Sequence, residues 1–288
     1  MGRRSLWRVR DRTLKVSDTL IMGILNLTPD SFYPGSRVRG VDEAIRRAER
    51  MLREGASIID VGGESTRPGS DPVPEDEELR RVVPAVRAIS DRLPEAVISV
   101  DTYKVRVARE ALEAGAHVIN DISGGTFEPE ILGVAARYGA GVVLNHIRGK
   151  PKDMQRNPHY DDPVKEVMDE LTERVERAKA YGVPEENICI DPGIGFGKRP
   201  VDNLLLIKHA DAFVDTGFVV LYGVSRKSFI RAVLGYDSPE ERLYATLGVH
   251  AYLYLKGVHI LRAHDVRETA DVVGILRAIR NASLSPTN

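Results

Sequence analysis

Val97-Ile98-Ser99-Val100 runs without a break into Asp101-Thr102. A run this short and apolar reads as a strand covered on both faces, as strands of parallel sheets are. Working outward, the same unit recurs at Ile21 to Leu25, Ser57 to Val61, His117 to Ile119, Val142 to Leu144, Ile188 to Ile190, Val219 to Tyr222 and Val258 to Leu261. Amphipathic helices fill the gaps. Val41, Ala44, Ile45, Ala48, Met51 and Leu52 share one helical face, and Gly55 stands where a left-handed cap belongs. Val164, Val167, Met168, Leu171, Val175 and Ala178 repeat that spacing up to Gly182. Eight strands in strict alternation with helices match a closed (β/α)8 barrel, typically about 250 residues long, better than an open doubly wound sheet. The fold class is α/β, a single barrel with the site on loops at the C-terminal ends of its strands. No linker divides the chain, so the expected layout is an N-terminal extension (1–18), the barrel (19–280) and a flexible tail (281–288). Pro84 lies inside the second helical pattern and predicts a kink there.

The chain has 288 residues, with 41 basic against 42 acidic side chains and a formal charge of −1. That balance excludes non-specific binding to nucleic acid, which needs a basic excess. A hydrophobic fraction of 42% with 29% charged residues excludes a wholly disordered chain. The single cysteine, Cys189, excludes an internal disulfide and a cysteine-based zinc cluster. No apolar run approaches the roughly 18 residues of a membrane span. Thr19 to Leu27 resembles a signal core, but Asp11 and Asp18 precede it and it runs into Thr28-Pro29-Asp30 with no cleavage site. The expectation is a cytoplasmic protein with an irregular start.

Each strand ends in a residue type that does chemistry: Asn26; Glu64 with Ser65-Thr66-Arg67; Asp101; Asn120-Asp121; Asn145-His146; Asp191; Ser225-Arg226-Lys227; and Arg262 with His264-Asp265. Singly, each has a dull explanation. Asp101-Thr102 suits a helix N-cap, and Asn120 suits a turn. Together they form one rim, because all eight carboxyl ends of a barrel open on the same face. Asp101, Asn120 and Asp191 are acceptor-rich and suit a flat heterocycle with several N–H donors. Arg67, Lys227, Arg262 and His264 are cationic and suit a phosphate or pyrophosphate. The glycine-rich stretch Gly193 to Lys198 fits neither the Walker nor the dinucleotide spacing and reads as a βα turn. Ser225 and Ser228 have no triad partners. His146, His159, His209 and His250 have no paired metal spacing and read as packing or surface residues, although His146 stands at a strand end where a ligand could touch it.

Seven stretches in order, from roughly Thr19 to Ile279, resemble the signature blocks of the dihydropteroate synthases. They are Gly23 to Phe32, Gly63-Glu64-Ser65-Thr66-Arg67-Pro68-Gly69, Ser99-Val100-Asp101-Thr102, Ile119-Asn120-Asp121-Ile122, Asp191 to Lys198, Ser225-Arg226-Lys227-Ser228 and Arg262-Ala263-His264-Asp265-Val266. That family is a pterin-binding TIM barrel of folate biosynthesis, usually a homodimer. It condenses 6-hydroxymethyl-7,8-dihydropterin pyrophosphate with p-aminobenzoate and releases pyrophosphate. The resemblance implies that Asp101, Asn120, Asp191 and Lys227 hold the pterin and that Asn26 ligates Mg²⁺. Thr66, Arg67, Arg262 and His264 would grip the phosphates. Phe32, Thr66, Arg67 and Pro68, with Lys227 and Ser228, would form the p-aminobenzoate pocket, and the catalytic group would be Asp101, Asp191, Lys227 and Arg67. Pyrophosphate would leave before the amine attacks, and sulfonamides would compete with p-aminobenzoate.

Two positions depart from the family pattern. Its first loop commonly continues Asp-Ser-Phe-Ser-Asp-Gly-Gly, whereas Asp30-Ser31-Phe32 is followed here by Tyr33-Pro34, so Pro34 replaces an acid that orders the loop over the metal. Asn145 stands where a methionine commonly packs on the pterin. Rival readings are a methyltetrahydrofolate:corrinoid methyltransferase domain, which has no use for Ser225-Arg226-Lys227-Ser228, and a non-catalytic pterin-binding paralogue. The apolar faces of Leu243 to Leu255 and Val266 to Ile279 suit self-association or barrel packing alike.

Overall fold

Residues 4–27 and 37–283 are described by a computed structural model. The chain begins with a hairpin, β1 (Leu6–Val9) and β2 (Arg12–Lys15). Then come β3 (Leu20–Asn26), α1 (Arg37–Arg53), β4 (Ile58–Gly62), α2 (Glu75–Arg92), β5 (Val97–Asp101), α3 (Val105–Glu113), β6 (Val118–Asp121) and α4 (Glu130–Tyr138). The second half holds β7 (Gly141–Asn145), α5 (Pro163–Ala180), β8 (Ile188–Asp191), α6 (Pro200–Lys208), α7 (Ala210–Val214), β9 (Val219–Tyr222), α8 (Ser228–Leu234), α9 (Leu243–Leu255), β10 (Ile260–Ala263) and α10 (Val266–Asn281). Strands β3 to β10 pair in parallel, each with its neighbour in sequence, and β10 closes on β3. This is the expected (β/α)8 barrel. The hydrophobic face of α1 buries Ala44, Ala48 and Met51, and Gly55 follows at φ +106°. Helix α2 continues through Pro84, whose ring faces solvent, where a missing N–H disturbs packing least.

Alternation along each strand sorts side chains between two cores. Ile21, Leu25, Ile59, Val61, Ile98, Val100, Val142 and Leu144 point outward and pack beneath the helices. Met22, Ile58, Val97, Val118, Val143, Cys189, Val219, Leu221 and Ile260 point inward and fill the lower barrel. Trp7, Val9 and Val16 join that inner cluster. Within the N-terminal extension, residues 6–16 form a plug over the barrel floor. The Trp7 indole N–H donates to the Asn187 carbonyl at 2.9 Å. Gly141 permits the approach, because a Cβ there would lie 2.5 Å from Val9 Cγ1. The sequence reading missed this hairpin because its strands have four residues each, too few for alternation to register.

Candidate active site

On six of the eight barrel strands, two residues beyond the apolar inward position the same barrel face turns polar. Ile58 gives way to Asp60, Val97 to Ser99 and then Asp101, Val118 to Asn120, Val143 to Asn145, Cys189 to Asp191 and Ile260 to Arg262. The strands run one or two residues further than their apolar runs suggest. The polar residues therefore sit on the ladder itself, not on loops. Register sets Asp101 beside Asn120, and Asn145 beside Asp191.

Arg262 organises the centre. Its Nε donates to Asp60 Oδ2 at 2.6 Å and one terminal nitrogen donates to Asp101 Oδ2 at 2.6 Å, so two of its three nitrogens are committed to carboxylates. Asp60 Oδ2 also accepts from the Asn120 amide at 3.0 Å. Asp191 accepts from the Gly193 amide at 2.8 Å, and the Asn145 amide approaches its other oxygen at 3.4 Å. Lys227, the N-cap of α8, donates to the Ile194 carbonyl at 2.5 Å and lies 4.2 Å from the Phe196 ring centroid. Burial pushes the Asp101 carboxyl up to about 7 against the pull of Arg262, with the nearby Asp60 charge adding to the rise. Asp191 is likewise raised by burial, opposed by Lys227. Lys227 is lowered to about 8 by burial, while Asp191 supports its charge. Asp60 Oδ1, Ser99 Oγ and Asn145 Oδ1 are buried without a partner among the described residues. Unpaired buried oxygens are uncommon enough to mark a place where something else supplies donors.

Higher on the rim, His264 Nδ1 meets Ser225 Oγ at 3.0 Å. Its residue is exposed at one edge, yet the enclosing walls and then Arg262 hold the imidazole below its ordinary value, so the ring is neutral near pH 7. Arg67 is close enough to add to that effect. Arg67 and Pro68 are exposed and Thr66 is half-buried on the β4–α2 loop, and Ser228 is exposed in the first turn of α8. Asn26 ends β3 and is half-buried beside Gly62. Phe32, Asp30 and Pro34 lie outside the described residues.

Several strand-end residues serve the scaffold. Asp121 accepts from the Ser123 and Gly125 amides, both at 2.7 Å. His146 is fully buried between Glu170 (2.9 Å) and Lys198 (2.9 Å). Arg226 sits at φ +57° and pairs with Asp265 at 2.8 and 2.7 Å. Asp101 is not an N-cap, since Lys104 holds that position on α3. The Gly193–Lys198 stretch is a turn packed against β7, and a Cβ on Gly193 would lie 1.8 Å from the His146 carbonyl oxygen. The sequence reading missed Asp60 and Ser99. Their signal was parity, since each lies an even number of residues from an inward apolar position on its own strand.

Among the described residues, no three His, Cys, Asp or Glu side chains gather as a metal site, and no helix is long and apolar enough to cross a membrane. A family profile described as Pterin binding enzyme matches residues 22–264. The dihydropteroate synthase of Synechocystis sp. is 44% identical over 261 residues, covering 91% of this chain and 90% of the relative. The Xanthomonas albilineans dihydropteroate synthase structure with 4-aminobenzoic acid superposes with a TM-score of 0.90 at 38% identity, covering 97% of this chain and all of that one. The same organism's enzyme in complex with 7,8-dihydropteroate gives a TM-score of 0.86 at 36% identity, covering 96% of this chain and all of the other. A profile and relatives that run almost end to end along the barrel and its polar mouth fix the lineage: the chain belongs to the dihydropteroate synthase family of pterin-binding enzymes.

Proposed function

We propose that this chain condenses 6-hydroxymethyl-7,8-dihydropterin pyrophosphate with p-aminobenzoate, giving 7,8-dihydropteroate and pyrophosphate. The observation that carries the reading is the set of unpaired oxygens on Asp60, Ser99 and Asn145 in one mouth with Asp101, Asn120 and Asp191. A pterin presents N–H donors along its edge, and such acceptors take them. Asp101, Asn120, Asp191 and Lys227 hold the ring. Thr66, Arg67, Arg262 and His264 face the diphosphate, and Pro68 and Ser228 border the arylamine.

Charge directs the chemistry. When all are ionised, Asp60, Asp101 and Asp191 face Arg262 and Lys227, leaving one negative charge in excess. In the reaction the methylene C–O bond breaks, its electron pair leaves with pyrophosphate, and the dihydropterin ring delocalises the positive charge left behind. That charge neutralises the excess of the mouth in a buried site, where fixed charges act strongly. The amine of p-aminobenzoate then forms the C–N bond with its lone pair and loses a proton. It is neutral at pH 7, so no dedicated base is required. Arg67 and His264 hold the departing diphosphate at the rim.

The Asn26 amide oxygen is a single hard donor. That suits Mg²⁺, which keeps several waters and takes further oxygens from substrate phosphates. Bound there, the ion would offset charge on the diphosphate; an Asn26→Ala variant whose Mg²⁺ dependence matches wild type would remove this assignment. A second copy of the chain is the expected partner, because Tyr244, Leu255, Ile275 and Ile279 expose large apolar surfaces on α9 and α10. Sedimentation of the protein checks that.

The deciding experiment is a coupled pyrophosphate assay on wild type, Asp191→Asn and Lys227→Ala. Release that requires both substrates and is inhibited by a sulfonamide competitively with p-aminobenzoate supports the synthase. Pterin binding without release would make the protein a non-catalytic relative.

A further inference from the structure

Lys104 follows Asp101 by three residues and is buried at the start of α3. Its ammonium has three protons to give, and each has an acceptor. One goes to Glu64 Oε2 at 2.6 Å, one to the Val73 carbonyl at 2.7 Å and one to the Glu78 carboxylate. Glu64 accepts in turn from the Val73 amide at 2.9 Å and from the Tyr103 hydroxyl at 2.9 Å. Glu64 and Val73 stand at the two ends of the segment that carries Thr66, Arg67 and Pro68.

Within that segment the Ser70 hydroxyl reaches the Ser65 carbonyl at 2.6 Å and the Arg67 carbonyl at 2.7 Å. The Gly69 amide donates to the Pro151 carbonyl at 2.9 Å. The loop has internal shape, and Arg81 of α2 donates to the Gly63 carbonyl at 2.7 Å, but what joins Glu64 to Val73 and both to the start of α3 is the ammonium and the carboxylate it pairs with. We propose that Lys104 is a positioning residue: it clasps the two ends of the β4–α2 loop and thereby fixes where Thr66 and Arg67 meet the substrates' charged ends. The inference rests on the synthase reading, since it assigns those two residues to the substrates.

Closing a flexible loop costs entropy before any contact is made, and a clasp that is already formed removes that cost from substrate binding. The ammonium can hold the clasp because burial, which works against its charge, is outweighed by Glu64 and Glu78. The bond to Glu78, on α2, fixes the clasp to the helix that follows the loop. The strand that supplies Asp101 to the mouth thus also sets the place of Arg67 above it.

Lys104→Met leaves two buried carboxylates without a counterion and puts folding at risk, so the test includes Lys104→Met/Glu78→Gln. This pair restores the native net charge of the cluster, removes the three bonds of the ammonium and leaves the Val73 amide's bond to Glu64 as a weaker tie between the ends. Three readouts are taken on the full chain. In the ligand-free double variant, amides of residues 65–72 exchange hydrogen about tenfold or more faster while barrel strands keep their protection. Its kcat/KM for both substrates falls about 10- to 100-fold. Calorimetric affinity for 6-hydroxymethylpterin, which has no diphosphate, stays within about twofold of wild type. Unchanged exchange in 65–72, unchanged kcat/KM, or pterin affinity that falls in step with kcat/KM each overturns the clasp. A wild-type protein that forms no dihydropteroate overturns the synthase reading instead, and the exchange result then judges the loop by itself.

Discussion

Replacing Asp60 by Asn removes one charge from the barrel and keeps the shape of the side chain. In the native site a single oxygen, Oδ2, accepts both the Arg262 Nε–H at 2.6 Å and the Asn120 amide at 3.0 Å, and Oδ1 has no partner among the described residues. An asparagine carbonyl in the place of Oδ2 retains both donors, but the bond from Arg262 loses its anionic partner. Hydrogen bonds to charged groups contribute about 1.5–3 kcal/mol and neutral ones about 0.5–1.5 kcal/mol, so this exchange costs about 1 kcal/mol. The amide NH₂ takes the place of Oδ1 as a buried donor without a partner, which costs about 1–3 kcal/mol more. The sum is about 2–4 kcal/mol, at or below the ~3–5 kcal/mol of stripping a buried charge of its partner, because Arg262 keeps Asp101 at 2.6 Å. Catalysis suffers as well. The excess negative charge of the mouth disappears, and kcat falls about 10- to 100-fold by loss of electrostatic stabilisation. Urea unfolding gives the first number and pyrophosphate release the second. A variant that unfolds within about 0.5 kcal/mol of wild type and turns over at the wild-type rate would show that neither Arg262 nor the reacting pterin depends on this charge.

Trp7→Ala opens the barrel floor and removes the bond to the Asn187 carbonyl; it should lower unfolding free energy by about 3–5 kcal/mol while kcat of the folded enzyme stays unchanged, and a parallel loss of kcat would refute the separation of floor and rim. Gly193→Ala places a Cβ against the His146 carbonyl oxygen at φ +71°; it should reduce both thermal stability and pterin affinity, because the Gly193 amide is a donor to Asp191, and an unchanged melting temperature would contradict the packing. Acid should destabilise the fold in two stages. His250, buried against Thr269, has its pKa lowered from 6.5 to about 4 by burial, so the unfolded chain takes up a proton that the native chain refuses, and stability falls as pH drops from 6.5 to 4. Glu170 has its pKa lowered from 4.5 to about 2, since the bonds from His146 and Arg148 outweigh burial; its contribution is intact above pH 4.5 and is lost as pH falls towards 2. Denaturation midpoints at pH 7, 5 and 4 should decline in that order, and His250→Leu should flatten the first stage.

The barrel was legible because its strands are covered on both faces and read as apolar runs of three to five residues, with Gly55 and Gly182 ending two of the helices. The polar rim was legible for the same reason: Asp101, Asn120, Asp191 and Arg262 interrupt apolar runs at positions where burial without partners is costly. Asp60 was not, because it lies inside an apolar run, flanked by Ile59 and Val61, and only the alternation of faces separates it from them. Glu64, Asp121 and Arg226 stand at strand ends like the assigned ligands and tie down the scaffold, as does His146, which reads as a packing residue. In sequence, a strand-end polar residue that binds a substrate and one that ties down a loop have the same signature, and partners such as Lys104 for Glu64 or Lys198 for His146 lie 40 and 52 residues away.

Cys189 and Asp191 show what the two-residue step along a strand accomplishes. Both point into the barrel from β8, both are buried, and burial raises the pKa of each. Cys189 belongs to the apolar layer, where burial and then the charge of Asp191 keep the thiol protonated and unreactive. Asp191 reaches the polar layer, where Lys227 and the Gly193 amide support its ionised form against the same penalty. An ionised carboxylate there is tolerable only because Lys227 and the Gly193 amide offset the penalty that exclusion of water imposes. When Asp60, Asp101 and Asp191 are all ionised against Arg262 and Lys227, a cationic pterin adds the compensating charge, so the feature that makes the site costly by itself is the one that lowers the barrier when substrate reacts.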